Sequence, residues 1–342
     1  MKGLIKVLVV DDSAFMRKAI SEILSSDPEI EVVGTARDGA DALEKVAKLS
    51  PDVITLDVEM PKMDGLTTLA HIMHEKPIPV VMLSALTGEG TKATVRAMSL
   101  GAVDFIQKPS GTISLDIEKI RDEIIKKVKA ASKARVRKLK FEPIKKTYFF
   151  RKRERVVVIG SSTGGPQALT LLLSALPQDI PASFLVVQHM PKEFTKSFAE
   201  RLDSVSKLEV KEAEDGDKIK RGRALIAPGD RHMLVKNSKV ILDDGPKINA
   251  VRPSADPTMI SAAHIYGNKV IGVILTGMGS DGAHGIRVIK ENGGYTIAQD
   301  ESTCVVFGMP RAAIATGCVD AVLPIEEIPK QLVEVMGGKY GE

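Results

Sequence analysis

Several acidic side chains in the first third of this 342-residue sequence stand at the ends of apolar stretches. Asp11 and Asp12 follow KVLVV, and Asp57 ends the stretch DVITLD. Because the carboxyl ends of parallel strands meet at one edge of a sheet, we expect these three carboxylates to crowd together. Their repulsion requires a cation, and oxygen ligands suit Mg²⁺. With the metal bound, Asp57 could attack a phosphoryl group in line.

Two further polar residues follow later apolar stretches of the same region. Ser84 comes after IPVVML and Lys108 after AVDFIQ. Lys108 can pair with the oxygens of an added phosphoryl group, and the hydroxyl of Ser84 can donate a hydrogen bond to them. A polar residue at one strand end is usually a solvated surface group. The complete set favours a phosphoacceptor site.

A glycine-rich turn, Gly160-x-Ser162-x-Gly164, lies between the predicted strand RVVVIG and the predicted helix PQALTLLLSAL. Such a turn either binds phosphate at the helix N-terminus or presents a nucleophile. The Walker lysine is absent and the dinucleotide pattern G-x-G-x-x-G is not matched, so a nucleophilic Ser162 is favoured. The short match to G-x-S-x-G is a weak signal by itself.

A serine nucleophile requires a general base, and the base requires a carboxylate that orients it. His189 ends the strand FLVVQ at the sheet edge where Ser162 should lie, and it is a better candidate than His232 or His284. Asp281, after the strand KVIGVILTG, is the candidate acid, although it could serve only as a helix N-cap. The chain order Ser, His, Asp differs from that of the chymotrypsin, subtilisin and α/β-hydrolase triads.

The elements that must position these residues form two α/β domains. Five apolar strands alternate with amphipathic helices over residues 1–125, which predicts a doubly wound parallel sheet with its site at the carboxyl strand ends. A second alternation begins at Arg155, with a β-hairpin expected through ALIAPGDRHMLVKNSKVIL. We therefore predict domains at 1–125 and 153–342, with a linker at 126–152.

Composition is that of an ordinary globular protein, at 44% hydrophobic and 27% charged residues, with no membrane span expected. No signal peptide is evident, so a cytoplasmic location is predicted. The two cysteines, Cys304 and Cys318, are too few for a disulfide framework. Charge is uneven: Lys126 to Arg155 contains 14 basic and two acidic residues, a charge of +12 within a chain of net +4. The linker is therefore basic and the domains are acidic.

The blocks VVDDS, LDVEMPKMDG, LSA and DFIQKP resemble the receiver domains of two-component response regulators over the first third of the chain. The resemblance implies that Asp57 is the phosphoacceptor and that Asp11, Asp12 and Asp57 hold Mg²⁺. It implies a switch that reports phosphorylation, made of Ser84, Phe105 and Lys108. A chemotaxis histidine kinase is the phosphodonor that it implies.

The blocks IGSSTGGPQAL, VVQHMP, APGDRHM, RPSADP and LTGMGSDGA resemble the catalytic domain of chemotaxis protein-glutamate methylesterases. The resemblance implies a triad of Ser162, His189 and Asp281, with Met278 and Thr163 in the oxyanion or substrate pocket. Backbone N–H groups near Met278 and His189 would hold the oxyanion.

The same resemblance implies the reaction. Phosphorylation would activate hydrolysis of glutamyl methyl esters on the cytoplasmic helices of chemoreceptors, giving glutamate and methanol, with deamidation of glutamine as a second activity. No cofactor is expected for the hydrolysis. The adaptation of chemotaxis would be its role in the cell.

Two other classes compete with this interpretation. A response regulator that binds nucleic acid would fit the basic linker, but the second domain has no helix-turn-helix pattern and aromatic residues are only 4%. No nucleic-acid partner is therefore expected. A receptor-binding module built on an inactive hydrolase fold is the other alternative, and the complete Ser, His and Asp set argues against it.

Overall fold

The structure is a computed structural model that describes residues 3–85, 87–108, 120–136, 148–150 and 154–340. The chain divides into an N-terminal unit, Met1–Leu139, and a C-terminal unit, Lys140–Glu342. Much of the predicted linker, at 137–147 and 151–152, lies outside the described residues. The boundaries at 125 and 153 remain a prediction.

A five-stranded parallel sheet forms the centre of the N-terminal unit, in the order β2-β1-β3-β4-β5. Its core strands are almost entirely buried, as expected where helices cover both faces of a parallel sheet. The order reverses between β1 and β3, so a crevice opens at their carboxyl ends. The strands are β1 (Ile5–Val10), β2 (Ile30–Ala36), β3 (Val53–Asp57), β4 (Val80–Ser84) and β5 (Asp104–Gln107).

The first four helices of this unit begin at residues whose own side chains accept a hydrogen bond from the first turn. These caps are Ser13, Asp38, Asp64 and Thr87. Such caps satisfy N–H groups that have no partner inside the helix. The helices are α1 (Ala14–Ser25), α2 (Gly39–Leu49), α3 (Gly65–Glu75), α4 (Gly88–Leu100) and α5 (Arg121–Ala131).

Helix α5 continues six residues into the segment predicted as linker. Val128 is fully buried there, and Lys129 forms an ion pair with Asp27 at 2.9 Å. Lys127 lies 2.8 Å from Glu123. Part of the basic charge counted for the linker is therefore balanced by acids of the N-terminal unit.

The C-terminal unit is built on a seven-stranded parallel sheet in the order β15-β14-β13-β7-β8-β10-β9. Strands β8, β10 and β9 lie on one side of β7, and strands β13, β14 and β15 lie on the other side. The reversal lies between β7 and β13. The strands are β7 (Arg155–Ser161), β8 (Ala182–Gln188), β9 (Glu209–Glu212), β10 (Arg223–Ile226), β13 (Val270–Ile274), β14 (Tyr295–Gln299) and β15 (Ala321–Leu323).

Two antiparallel pairs complete this unit, β11 (His232–Lys236) with β12 (Lys239–Asp243) and β6 (Tyr148–Phe150) with β16 (Gly338–Tyr340). The predicted hairpin is confirmed only in its second half, because β10 joins the parallel sheet instead. A 3₁₀ turn spans Gly267–Lys269. The helices are α6 (Gly165–Ala175), α7 (Lys192–Val205), α8 (Ala255–Tyr266), α9 (Ala283–Glu291), α10 (Met309–Ala315) and α11 (Ile328–Val335).

The predicted fold class, a five-stranded doubly wound receiver followed by an α/β hydrolase domain, is confirmed. Among the helices that the structure describes, we find none with the length and apolar character to cross a membrane.

Candidate functional sites

The predicted phosphoacceptor site is assembled at the crevice of the N-terminal unit. One oxygen from each of Asp11, Asp12 and Asp57 lies within 4.8 Å of the others. Lys108 Nζ lies 2.8 Å from Asp11 Oδ2 and 2.7 Å from Asp57 Oδ2. Arg17, which the sequence interpretation missed, donates to the backbone carbonyls of Asp11 and Asp12 at 2.8 and 2.9 Å. Its guanidinium thereby holds the backbone segment that carries Asp11 and Asp12.

Burial and charge oppose each other in this site. Burial raises the pKa of Asp57 to about 6, although the ammonium of Lys108 acts in the opposite direction. Burial also acts to lower the pKa of Lys108, but the carboxylates of Asp57 and Asp11 outweigh it and raise that pKa. Apart from its ion pair, the buried Asp11 Oδ2 has no hydrogen-bond partner among the described residues. Three carboxylates, one of which has an oxygen without a hydrogen-bond partner among those residues, fit a divalent cation.

The predicted switch residues lie beside this site. The Ser84 hydroxyl is buried and accepts from Thr94 Oγ1 at 2.6 Å, so it points into helix α4. Phe105 is buried with Lys127 Nζ 5.1 Å from its ring centroid, which is a cation–π distance. The Lys108 N–H donates to the Ser84 carbonyl at 2.7 Å, which joins the ends of β4 and β5. Any movement of Ser84 toward Asp57 therefore requires it to change hydrogen-bond partner.

The candidate nucleophile, Ser162, follows directly after β7 at the crevice of the C-terminal unit. Its N–H donates to the Thr276 carbonyl at 3.0 Å, and its carbonyl accepts from the Gly165 N–H at 2.7 Å. The turn differs from a strained nucleophile elbow, because the left-handed residue is Gly164, with φ +77°, and not the serine. A side chain at Gly164 would also meet Val305, 2.5 Å from the position of its Cβ.

The candidate base and acid are in direct contact. His189 follows β8, and its Nε2 lies 2.8 Å from Asp281 Oδ2. Because an ionised carboxylate can only accept, Nε2–H is the donor, which leaves Nδ1 free to take a proton. Ser162 is half-buried, and within the described ranges no hydrogen bond joins its hydroxyl to His189. The structure thus brings two members of the predicted triad together and puts the third on the neighbouring strand end.

Asp281 accepts an unusual number of hydrogen bonds. Oδ2 also accepts from the Ala255 N–H at 2.7 Å, and Oδ1 accepts from Ser254 Oγ at 2.5 Å and Asn249 Nδ2 at 3.0 Å. Burial acts to raise the pKa of Asp281, but the bonds from His189, Ser254 and the Ala255 N–H outweigh it and lower the pKa to about 2. This carboxylate is therefore a stable anion directed at the imidazole.

The alternative role predicted for Asp281, an N-cap, is found in an altered form. Its carboxylate contacts the start of α8 rather than α9, the helix that follows it in sequence. Helix α9 is capped instead by Asp256 of α8, whose Oδ1 accepts from the Gly285 N–H at 2.7 Å. Burial raises the pKa of Asp256, and the nearby charge of Asp281 adds to this. Asp281, just before α9, thus caps α8, and Asp256 of α8 caps α9. The two acids together hold α8 against α9.

Gln188, the last residue of β8, links the nucleophile turn to the candidate base. Its Nε2 donates to the carbonyls of Ser162 and His189, both at 3.0 Å, and its Oε1 accepts from Ser161 Oγ at 2.7 Å. It is buried, and the sequence interpretation missed it. Its place beside His189 in VVQHMP was the available signal. This amide fixes the relative positions of two strand ends.

The predicted oxyanion donors are only partly available. The His189 N–H itself donates to the Ser161 carbonyl at 3.0 Å and is therefore not available to an oxyanion, while the expectation that N–H groups near Met278 and His189 hold it stays a prediction. In the described part of the chain the Met278 N–H has no acceptor, and Met278 is half-buried. Thr163 is buried, with its carbonyl accepting from Thr276 Oγ1 at 3.0 Å. The role of Met278 and Thr163 in an oxyanion or substrate pocket remains a prediction.

His232 is a buried structural histidine rather than a base. Its Nδ1 accepts from the Ser254 N–H at 3.2 Å and its Nε2–H donates to the Pro246 carbonyl at 3.0 Å. Both ring nitrogens are bonded to backbone groups, so neither is directed at Ser162. It supports Ser254, which in turn donates to Asp281.

Comparison with known proteins identifies the family of the chain and the type of its N-terminal domain. The model of the CheB methylesterase family matches residues 157–332, and that of the response regulator receiver domain matches residues 7–119. A protein-glutamate methylesterase/protein-glutamine glutaminase of Pyrococcus horikoshii is 52% identical, over 98% of this chain and 96% of its own. The protein of the same name from Thermotoga maritima is 50% identical, over 97% and 98%.

A solved structure resembles the C-terminal unit. The crystal structure of the Thermotoga maritima CheB methylesterase catalytic domain covers 54% of this chain and 99% of its own, with 53% identity and a TM-score of 0.52. The chain belongs to the CheB methylesterase family and carries a response regulator receiver domain. The resemblance drawn from the sequence motifs is confirmed.

Proposed function

We propose that the protein is a protein-glutamate methylesterase and protein-glutamine glutaminase that acts in the adaptation of chemotaxis. The observation that carries the proposal is the hydrogen-bonded pair of His189 and Asp281, beside Ser162, in a member of this family. The proposed substrates are glutamyl methyl esters and glutamines on the cytoplasmic helices of chemoreceptors. We infer a cytoplasmic location from these substrates.

Ester hydrolysis would follow from the roles of three side chains. Ser162 Oγ attacks the ester carbonyl carbon while His189 Nδ1 takes its proton, and Asp281 stabilises the imidazolium that forms. The C–O bond to the methoxy group then breaks, and methanol leaves with the proton from His189. Water cleaves the acyl-enzyme by the same route and yields glutamate. A carboxamide would release ammonia in place of methanol.

The serine hydroxyl must turn toward Nδ1 before the attack. Catalytic hydrogen bonds are often long before substrate binds and tighten in the reactive complex. We propose that a rotation about the Cα–Cβ bond of Ser162 brings its hydroxyl to His189 Nδ1, while Gln188 holds the backbone carbonyls of both residues. The Met278 N–H is the donor that we assign to the oxyanion, and one such donor typically contributes roughly 3–4 kcal/mol.

Regulation belongs to the N-terminal unit. Asp57 is the proposed phosphoacceptor, with a histidine kinase as the phosphodonor. Asp11, Asp12 and Asp57 would hold Mg²⁺, which supplies positive charge beside the phosphoryl oxygens. Phosphorylation adds nearly two negative charges next to Lys108 and favours a hydrogen bond from Ser84. The hydrolysis itself requires no cofactor in this scheme, and we expect no nucleic-acid partner.

The test is methanol release from methylated receptor by the full-length protein. Ser162→Ala should lower the rate by roughly 10⁴ or more, because the nucleophile is lost. The adjacent Ser161 is a matched control: among the described residues its hydroxyl is hydrogen-bonded to Gln188 alone, so Ser161→Ala should lower the rate less than tenfold. Thermal unfolding checks that both variants fold. Turnover near that of the wild type in Ser162→Ala would contradict the proposed nucleophile.

A further inference from the structure

Asn249 reaches from an exposed turn to the buried carboxylate of Asp281. Its Nδ2 donates to Asp281 Oδ1 at 3.0 Å and to Asp256 Oδ2 at 2.8 Å. Asp281 and Asp256 are 2% and 6% exposed, whereas Asn249 lies at the surface. One amide nitrogen carries two hydrogens and can satisfy both acceptors together. Asn249 is therefore a bridge between the candidate triad acid and a second buried acid.

The turn presents this amide in a fixed position. Ile248 and Val251 exchange two backbone hydrogen bonds, at 3.1 and 3.0 Å. Between them Asn249 and Ala250 adopt left-handed backbone angles, with φ +53° and +64°. This is the geometry of a tight two-residue turn, in which asparagine is tolerated better than most residues.

Side chains anchor the base of the turn to the body of the unit. The guanidinium of Arg252 donates to the carbonyls of Asp244 and Gly245, both at 2.8 Å. His232 donates to the Pro246 carbonyl at 3.0 Å. The segment is thus held on both sides of Asn249, so its amide meets the two acids without a large loss of conformational entropy.

The two acids cannot separate by turning away. Asp281 is tied to the start of α8 through the Ala255 N–H, and Asp256 is tied to the start of α9 through the Gly285 N–H. Like charges held close in a buried site repel strongly. A donor between them offsets this repulsion. Without it, the repulsion would disturb the orientation of Asp281 and weaken its bond to His189.

We propose that Asn249 is a positioning residue for the ester hydrolysis, which bridges Asp281 and Asp256 and keeps Asp281 directed at His189. The inference rests on the proposed function of this site. Asn249 differs from the other described donors to Asp281, since those belong to the N-cap and first turn of α8 or to the base itself. Its side chain can be changed without altering that helix.

The test compares turn variants of the full-length protein in methanol release. Asn249→Gly keeps the left-handed backbone but removes the donor, so we expect kcat to fall about tenfold with KM unchanged. Asn249→Asp keeps the shape and puts a third acid beside the pair, so kcat should fall further. Ala250→Gly is the control, because it changes the same turn without touching the donor, and kcat should stay within twofold.

A double-mutant cycle separates positioning from a structural effect. If Asn249 acts through Asp281, Asn249→Gly should have less than a twofold effect in an Asp281→Ala background. An equal loss in both backgrounds would overturn the proposal, as would a change in KM alone or a kcat within twofold of the wild type in Asn249→Gly. Thermal unfolding of each variant accompanies the kinetics.

Ser162→Ala in the same assay distinguishes a failure of the role proposed for Asn249 from a failure of the proposed catalytic site. If Ser162→Ala is inactive while Asn249→Gly behaves as the wild type, only the role of Asn249 is wrong. If Ser162→Ala remains active, the proposed catalytic site itself is wrong.

Discussion

Asp57 and Asp281 occupy comparable places in two different units, yet their electrostatic environments are opposite. Both are buried carboxylates at the carboxyl edge of a parallel sheet, next to the point where the strand order reverses. The pKa of Asp57 is raised to about 6 by burial, whereas the pKa of Asp281 is lowered to about 2. Sheet topology therefore determines where a functional acid lies, but it does not determine the pKa of that acid.

The difference comes from the donors around each carboxylate. Within the described part of the chain, Asp57 receives one long hydrogen bond besides the ammonium of Lys108, from the Glu59 N–H at 3.4 Å. Asp281 receives bonds from His189, the start of α8 and Asn249. Asp57 is suited to gain a phosphoryl group and a metal, both of which alter its charge balance. Asp281 is suited to remain an anion throughout a catalytic cycle.

In this comparison of Asp57 with Asp281, the largest effect should come from making Asp281 neutral. Asp281→Asn should lower methanol release by roughly 10³ to 10⁴, because the imidazole loses its orienting anion. The fold-loss in kcat should be the same with and without a small-molecule phosphodonor, because the substitution impairs the chemical step. The measurement is kcat in both conditions. A loss that phosphorylation restores would mean that Asp281 acts in regulation rather than in catalysis.

A second consequence concerns stability in acid. Because the folded-state pKa of Asp281 is depressed from 3.8 to about 2, its ionised form stabilises the folded unit at pH values above about 4. This contribution is lost as the pH falls through about 2. At roughly 1.4 kcal/mol per pKa unit it amounts to about 2 kcal/mol.

Denaturant unfolding of the wild type and Asp281→Asn at pH 6 and pH 2.5 would measure this contribution. The difference in the free energy of unfolding should shrink by about 1.5 kcal/mol at the lower pH, because pH 2.5 still lies above the folded-state pKa of Asp281. A difference that does not depend on pH would show that the donors around Asp281 do not stabilise its charge.

The helix starts of the N-terminal unit carry a more local sequence signal than those of the C-terminal unit. Ser13, Asp38, Asp64 and Thr87 cap helices that begin at the next residue, so the signal is local. In the C-terminal unit none of the described helices has such a local side-chain cap. There the acids that cap α8 and α9 come from distant positions in the chain, which propensity and spacing do not reveal.

The same distinction applies to the sites. Ser162, His189 and Asp281 follow predicted strands, so their approach to one sheet edge could be predicted from strand order alone. Gln188 and Asn249 could not, because their roles depend on carbonyls and carboxylates brought near by tertiary packing. His232 shows the converse: its residue type suggested chemistry, but both ring nitrogens are used in hydrogen bonds.

The smallest expected effect concerns the link between the two units. If Asp57 regulates rather than catalyses, Asp57→Ala should keep basal methanol release within twofold of the wild type. It should lose the stimulation by a phosphodonor, for which we expect roughly tenfold, the change that about 1.4 kcal/mol produces in a two-state equilibrium. Lys108 retains Asp11 as a partner at 2.8 Å, so the unit should remain folded.

Glu44→Ala provides the control for this experiment, because Glu44 is an exposed acid of α2 that pairs only with Lys48 among the described residues. It should be stimulated as the wild type is. A chelator should abolish the stimulation of the wild type and leave its basal rate intact, since the proposed Mg²⁺ ligands lie only in the N-terminal unit. Stimulation that survives in Asp57→Ala would place the phosphoacceptor elsewhere. A fall in its basal rate of tenfold or more would mean that the receiver also supports the catalytic step, and the contrast between Asp57 and Asp281 would then be one of degree.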